Sequence, residues 1–342
     1  MLIYAAPDYQ KYSSFTKNMW AYCYYVAKTS LKDESNPGVN AFFWASYDFI
    51  YGDNTVFSRT GGSYANGDTR HCLIDAHTYI HEMGHMFGLD DYYDYSSETS
   101  PIAGFSMQDN NVGGHDPFSV MALGWANPYI PKFSGEIVIN DFISSHDVIL
   151  LTPEFNSYNS PFDEYILIEL YTPTGLNELD CQYKYGNRFP QGPWATGIRV
   201  WHVDARLYTS WGTFINDANS SLPHAIAFNN TYRYEGEKTT QPSNGRSSFA
   251  YELGHNIDYQ RFNLLHLIRK GTSISYTTSS NLSSNDLFKA GSTFDMSTYR
   301  NQFYKADTKL NNGKSLGWSF TVKNIITNFD GSSSATIQIV KE

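Results

Sequence analysis

The chain has 342 residues, 41% of them apolar and only 17% charged, with a formal net charge of −10 at pH 7. That length exceeds what one hydrophobic core usually serves, so two domains are expected. An acidic chain without a basic stripe repels phosphate backbones, which argues against nucleic acid as a partner. No apolar run reaches the ~20 residues of a membrane-spanning helix.

Tyr (27), Phe (22) and Trp (7) are abundant. With so few charges, solubility comes from neutral polar groups, a texture common among secreted proteins. The first thirty residues carry no basic n-region followed by an apolar stretch and a small-residue cleavage site. Cys23, Cys72 and Cys181 are odd in number and widely spaced. They read as buried thiols rather than a disulfide framework or a zinc–cysteine site.

In chain order, residues 9–29 are expected to be helical, because Phe15, Met19, Tyr22 and Val26 fall at helical spacing. After Pro37-Gly38, the aromatic and β-branched run 39–51 reads as a strand. A loop rich in Gly and Asn follows at 61–68. Asp75 to Phe87 is the strongest helical stretch, with Gly88 as its stop.

Beyond residue 134 the texture becomes that of strands. Short runs recur at 136–140, 147–152, 164–171, 198–203, 263–268, 319–326 and 335–340, between turns rich in Ser, Asn and Gly. The polar stretch 231–260 reads as a long loop. The expected fold is therefore α+β, with residues 1–133 carrying the chemistry and 134–342 forming a β-rich, sandwich-like accessory domain, the boundary lying near Pro131.

The chemistry lies in His81-Glu82-Met83-Gly84-His85-Met86-Phe87-Gly88-Leu89-Asp90-Asp91. Four helical residues advance by about 400°, which leaves His81 and His85 within roughly 40° and about 6 Å of each other. Both imidazoles can reach one metal ion. Glu82 lies about 100° around the helix, beside the metal, where it can hold a water. Gly88 can adopt a left-handed conformation that turns the chain back and presents Asp91 as a third ligand. Three protein ligands leave a fourth position open, as a catalytic zinc requires. Chance alone would place H-E-x-x-H in roughly one such chain in a hundred, and the string with Gly88 and Asp91 in on the order of one in 20,000.

H-E-x-x-H-x-x-G-x-x-D resembles the zinc motif of metzincin-type peptidases that use aspartate as the third ligand. The longer string H-E-M-G-H-M-F-G-L-D-D-Y-Y-D is similar to the immune-inhibitor-A-type (M6) secreted bacterial metallopeptidases. So are F-S-M-Q-D at 105–109, G-G-H-D-P-F-S at 113–119, L-G-W-A-N-P at 123–128 and G-I-R-V-W-H-V-D at 197–204. The resemblance implies a metzincin-like catalytic domain with His81, His85 and Asp91 on zinc and Glu82 as general base. It also implies Met107 as the apolar floor beneath the metal, with Met121 as runner-up, a protein or peptide substrate, and a secreted or cell-surface location. Where several metzincins place a Tyr two residues after that Met, this chain has Asp109.

Other residues carry weaker signals. His77 shares a helix face with His81 and His85 and reads as a packed, hydrogen-bonded residue before a substrate contact. His115 reads as loop architecture before a cleft residue. His202 reads as a satisfied histidine pointing away from Val203 along its strand. Asp90, Asp94 and Glu98 make an acidic loop where Ca2+ is an option beside Zn2+, although EF-hand spacing is absent. Asp94 is also a candidate to orient His81 or His85 from behind. The resulting expectation is a zinc endopeptidase; the alternative is an adhesin or glycan-binding protein that keeps a structural zinc. The sequence leaves the oligomeric state open.

Overall fold

The computed structural model describes residues 2–4, 21–25, 41–46, 76–94, 99–155, 160–184, 189–209, 214–215, 224–226 and 262–342. Cys72, Glu98 and the polar stretch 231–260 lie outside the described residues.

β1 (Leu2–Tyr4), β2 (Tyr22–Tyr25) and β3 (Ala41–Ser46) form a small sheet in the order β1-β3-β2. β1 runs parallel and β2 antiparallel to β3. The strand expected within 39–51 is therefore present, but the helix expected over 9–29 does not extend through 22–25. Tyr22-Cys23-Tyr24-Tyr25 pairs with Trp44-Phe43-Phe42-Ala41. Aromatic residues fit a pleated, half-buried surface, and this cross-strand pairing outweighs the helical spacing. α1 (His77–Met86) packs on this sheet, with Tyr79 set against Ala21 and Ala45.

Two short helices follow, α2 (Met107–Asn110) and α3 (Pro117–Ala122). Asp116 caps α3 by accepting from the Ser119 N–H at 2.9 Å, and Pro117 takes the first turn, where a missing N–H costs nothing. α4 (Phe142–Ser145) and α5 (Glu178–Gln182) sit among the strands of the second half.

Those strands are β4 (Gly135–Asn140), β5 (Ile149–Leu151), β6 (Glu164–Tyr171), β7 (Gly197–Asp204), β8 (Leu207–Thr209), β9 (Phe214–Ile215), β10 (His224–Ile226), β11 (Leu265–Ile268), β12 (Thr293–Phe294), β13 (Trp318–Thr327) and β14 (Ser333–Lys341). A central sheet has the order β11-β7-β6-β5, and an outer sheet the order β12-β13-β14-β4, both antiparallel throughout. β10-β8-β9 form a third, smaller sheet. All the strand runs read from the sequence beyond 134 coincide with elements of the central and outer sheets.

β6 and β7 are buried at every position. Period-2 alternation divides the central sheet between two cores. Ile166, Ile168, Leu170, Ile198, Val200 and Ile268 face the outer sheet, where they meet Phe294, Trp318, Phe320, Val322, Ile337 and Ile339. Leu150, Tyr165, Leu167, Trp201, Val203 and Leu265 face the other way, onto Tyr92, Ile102, Phe105, Val112, Phe118 and Val120. The second of these cores thus takes residues from both sides of Pro131. Backbone hydrogen bonds cross the same line, Leu267 N–H to Pro101 O at 2.9 Å and Leu282 N–H to Ala103 O at 2.8 Å. Among the described residues no helix is long and apolar enough to cross a membrane.

Candidate metal centre

On α1 the buried positions are Thr78, His81, Glu82, Gly84 and His85, so the H-E-x-x-H face turns inward. The helix ends in a Schellman turn. Gly88, at φ +98°, donates to His85 O at 2.9 Å, and Leu89 N–H reaches back to Gly84 O at 3.1 Å. Only glycine takes that conformation without strain, so the expected role of Gly88 holds. The turn also aims Leu89 O at His85, whose Nδ1 donates to it at 2.9 Å.

His81 Nδ1 donates to Met107 O at 2.8 Å. A carbonyl can only accept, so both rings carry a proton on Nδ1 and turn Nε2 toward Asp91 as the atom available to a metal. The two Nε2 atoms lie 3.0 Å apart, and Asp91 Oδ1 is 3.1 Å from that of His81 and 3.2 Å from that of His85. The rings meet edge-on at 87°. Asp91 Oδ2 accepts from Tyr93 Oη at 3.0 Å. His81, His85 and Asp91, all buried, form the one His/Cys/Asp/Glu group among the described residues that could hold a metal ion.

Charge follows from this packing. Burial opposes ionisation of Asp91, but His85 and His81 outweigh it and hold the carboxyl well below the usual range. Burial also opposes a proton on His85, but the Asp91 and Glu82 carboxylates raise its pKa to about 9. Burial pushes Glu82 upward, Asp91 adds to the rise, and His81, His85 and the Cys23 backbone of β2 pull against it. Glu82 Oε2 is buried and has no hydrogen-bond partner. A lone carboxylate oxygen in such a place is costly unless it serves a water or a proton.

The chain matches no family model, no curated protein and no solved structure.

The segment 104–119 reaches the site through Met107 and Gln108. Met107 is buried at the start of α2, and its carbonyl orients His81. Met121 lies in the core shared with the central sheet. Gln108, absent from the sequence-based candidates, is fully buried and donates through Nε2 to His81 O at 3.3 Å. A Cβ at Gly84 would collide with the Gln108 amide. The signal was present as a glycine inside a helix, which marks a close approach. Asp109 accepts from Gly104 N–H at 2.9 Å and from Asn110 Nδ2 at 3.2 Å. Burial lifts it to about 7, with Gly104 lowering and Asp91 adding to the rise.

The Gly113–Asp116 loop is pinned from both sides. Asp180 accepts from Gly113 N–H at 2.7 Å, Asn177 from Gly114 N–H at 2.9 Å, and Asp116 from Ser106 Oγ at 3.0 Å. Beneath Phe105, Arg199 pairs with Glu169 at 2.7 Å and lies between the rings of Tyr171 and Trp201.

His77 Nε2 is 3.0 Å from Asp180, tying α1 to α5, so it is a hydrogen-bonded anchor. His202 Nε2 is 3.0 Å from Glu164 Oε1, and the ring points away from Val203 into the outer core, beside Phe303. Asp94 Oδ2 accepts from Thr99 N–H and Oγ1 at 3.0 and 2.9 Å. It does not orient His81 or His85, because Met107 O and Leu89 O already occupy their Nδ1 atoms. Asp90 and Asp94 enter no second metal group among the described residues.

Proposed function

We propose that the chain is a zinc-dependent endopeptidase that hydrolyses peptide bonds in proteins. The observation that carries this reading is the convergence of His81 Nε2, His85 Nε2 and Asp91 Oδ1 within 3.0–3.2 Å of one another, with the unpartnered Glu82 Oε2 beside them.

The donor set fits zinc. Ligand atoms ~2.0–2.2 Å from a tetrahedral centre lie roughly 3.3–3.6 Å apart, close to the spacing of these three atoms, and two imidazoles with one carboxylate are a familiar catalytic set. Each histidine is locked in the ligating tautomer by a backbone carbonyl. When bound, zinc supplies Lewis acidity toward a water and a scissile carbonyl.

The chain's own groups do the rest. Glu82 Oε2 takes the proton of the attacking water and hands it to the departing amine. Its burial keeps bulk water from competing for that atom and brings its proton affinity closer to that of the water it serves. Met107 O and Leu89 O hold the rings still while charge develops. The reading agrees with the resemblance to immune-inhibitor-A-type peptidases, which also suggests secretion.

Zinc analysis of protein purified without added metal, together with a casein and peptide-library digest of wild type and Glu82→Ala, tests it. One zinc per chain is expected in both proteins, with hydrolysis by the wild type only and a loss of ~10²–10⁴-fold or more in the variant. Zinc without any hydrolysis by the wild type would favour the adhesin alternative.

A further inference from the structure

His115 differs from the other histidines whose side chains are described. His77, His81, His85, His146, His202 and His266 all have hydrogen-bond partners. His115 Nδ1 is buried with none, although the ring as a whole is only part-buried. Evolution of a merely architectural loop has no use for a buried, unsatisfied ring nitrogen, since each such group costs free energy.

The loop's anchors say where this ring is. Gly114 O, on one side of His115, accepts from Met107 N–H at 3.2 Å. Asp116, on the other, accepts from Ser106 Oγ at 3.0 Å. Both flanks of His115 are thus fastened to Ser106-Met107, the segment whose carbonyl holds His81. His81 and Asp116 are the titratable groups that act on the ring. Burial lowers its proton affinity, Asp116 pulls the other way and His81 adds to the fall, so the neutral form is favoured.

A neutral imidazole carries one proton. An unpartnered buried N–H is rarer than an under-satisfied acceptor, so the proton belongs on Nε2. A metal centre of this kind also needs a donor for the oxyanion of the tetrahedral intermediate. The position two residues after Met107 holds Asp109, both of whose carboxyl oxygens are already engaged, by Gly104 N–H and Asn110 Nδ2.

We infer that His115 is a catalytic residue of this site, donating from Nε2 to the oxyanion that forms at the scissile carbonyl. The assignment rests on the peptidase reading. Losing one preorganised donor of this kind costs about 10²–10³-fold in turnover.

Zinc affinity, peptide hydrolysis and affinity for a phosphinic peptide, whose tetrahedral anion imitates the intermediate, are to be measured for wild type, His115→Ala and His115→Gln. Expected are zinc affinity within threefold of wild type in both variants and a loss of about 10²–10³-fold in kcat, with weaker phosphinate binding, in His115→Ala. Partial recovery is expected in His115→Gln, which keeps an N–H donor. Turnover in His115→Ala within threefold of wild type overturns the assignment, and so does a tenfold fall in zinc affinity, which would make His115 a support of the ligands. If His115→Ala fails to fold, His115→Gln decides: wild-type phosphinate affinity and turnover, or a tenfold loss of zinc, overturn the assignment, and weakened binding and turnover with zinc retained support it. If the wild type cleaves no peptide, the peptidase reading fails by itself. Phosphinate binding then decides on His115 separately: equal affinity in wild type and His115→Ala overturns its role as a donor, and weaker affinity in the variant supports it.

Discussion

Replacing Gly84 with alanine separates local helix preference from the demands of the metal centre. In an unencumbered helix the change would stabilise by about 1 kcal/mol, because alanine loses less backbone entropy. Here the new methyl group meets the Gln108 side chain, with Cδ at 2.8 Å and Nε2 at 3.1 Å. Gln108 is fully buried and cannot swing into solvent. Overpacking of this kind costs about 1–3 kcal/mol, and losing the Gln108 bond to His81 O costs about 1 more. The net expectation is a destabilisation of about 1–3 kcal/mol, opposite in sign to helix propensity. Gln108 Nε2 also lies 3.5 Å from His85 Nδ1, so the displaced amide disturbs the ligands, and metal affinity should fall by about 10–100-fold. Urea unfolding and competition with a chromogenic chelator measure the two effects. A Gly84→Ala protein that is more stable than wild type and binds zinc equally well would refute the reasoning.

Three further outcomes follow from other parts of the structure. Asp91→Ala should abolish tight metal binding, because it removes one of the three candidate ligands, whereas Asp94→Ala should release Thr99 and leave metal affinity within a few-fold; chelator competition with the reverse pattern would mean the wrong carboxylate has been chosen. Burial, with His202 and Arg269, pushes His266 down to about 3 from 6.5. Above pH 6.5 neither the folded nor the unfolded chain protonates this ring. As pH falls from 6.5 toward 3 only the unfolded chain takes up the proton, so folding should lose up to roughly 4–5 kcal/mol in that window; urea midpoints of wild type and His266→Gln with identical slopes against pH would contradict this. Residues 134–342 expressed alone should bind a hydrophobic dye and unfold without cooperativity, since Leu150, Tyr165, Leu167, Trp201 and Val203 lose their cover; a soluble fragment with a sharp urea transition would show that the shared core is dispensable.

The convergence of the candidate metal group was legible because its three residues lie within eleven positions, where helix geometry and one glycine bring them together. Gly88 and the period of α1 translate directly into the positions of His81, His85 and Asp91. The strands beyond 134 were legible from their runs of apolar residues between turns. What spacing could not tell was which partner each strand would meet. Tyr22–Tyr25 carries a pattern compatible with a helix, and only the presence of β3 alongside makes it a strand. The expected boundary near Pro131 followed a change of texture, but E-Y-I-L-I-E-L-Y and G-I-R-V-W-H-V-D are continuous apolar runs rather than alternating ones. That feature signals burial on both faces, and so a core shared with what precedes. Asp94 was misassigned because its partner, Thr99, is a loop contact that no periodicity encodes. The same holds for Gln108 and for the anchoring of Gly113 and Gly114 by Asp180 and Asn177, residues more than sixty positions away.

A sheet with no wet side also restricts how this chain can diverge. Every position of β6 and β7 abuts packed atoms, so a mutation there changes volume somewhere, and alternate positions report to opposite cores. An odd-numbered change on β7, at Arg199, Trp201 or Val203, is felt on the side of Tyr92, Phe105 and Phe118; an even-numbered one, at Ile198 or Val200, is felt against the outer sheet. β4, β13 and β14, which leave alternate positions partly or fully open to solvent, have no such double obligation. Neutral drift should accumulate in the outer sheet, while the central one changes by compensated, size-matched pairs. Distant descendants would then keep the central sheet long after their outer strands had become unrecognisable.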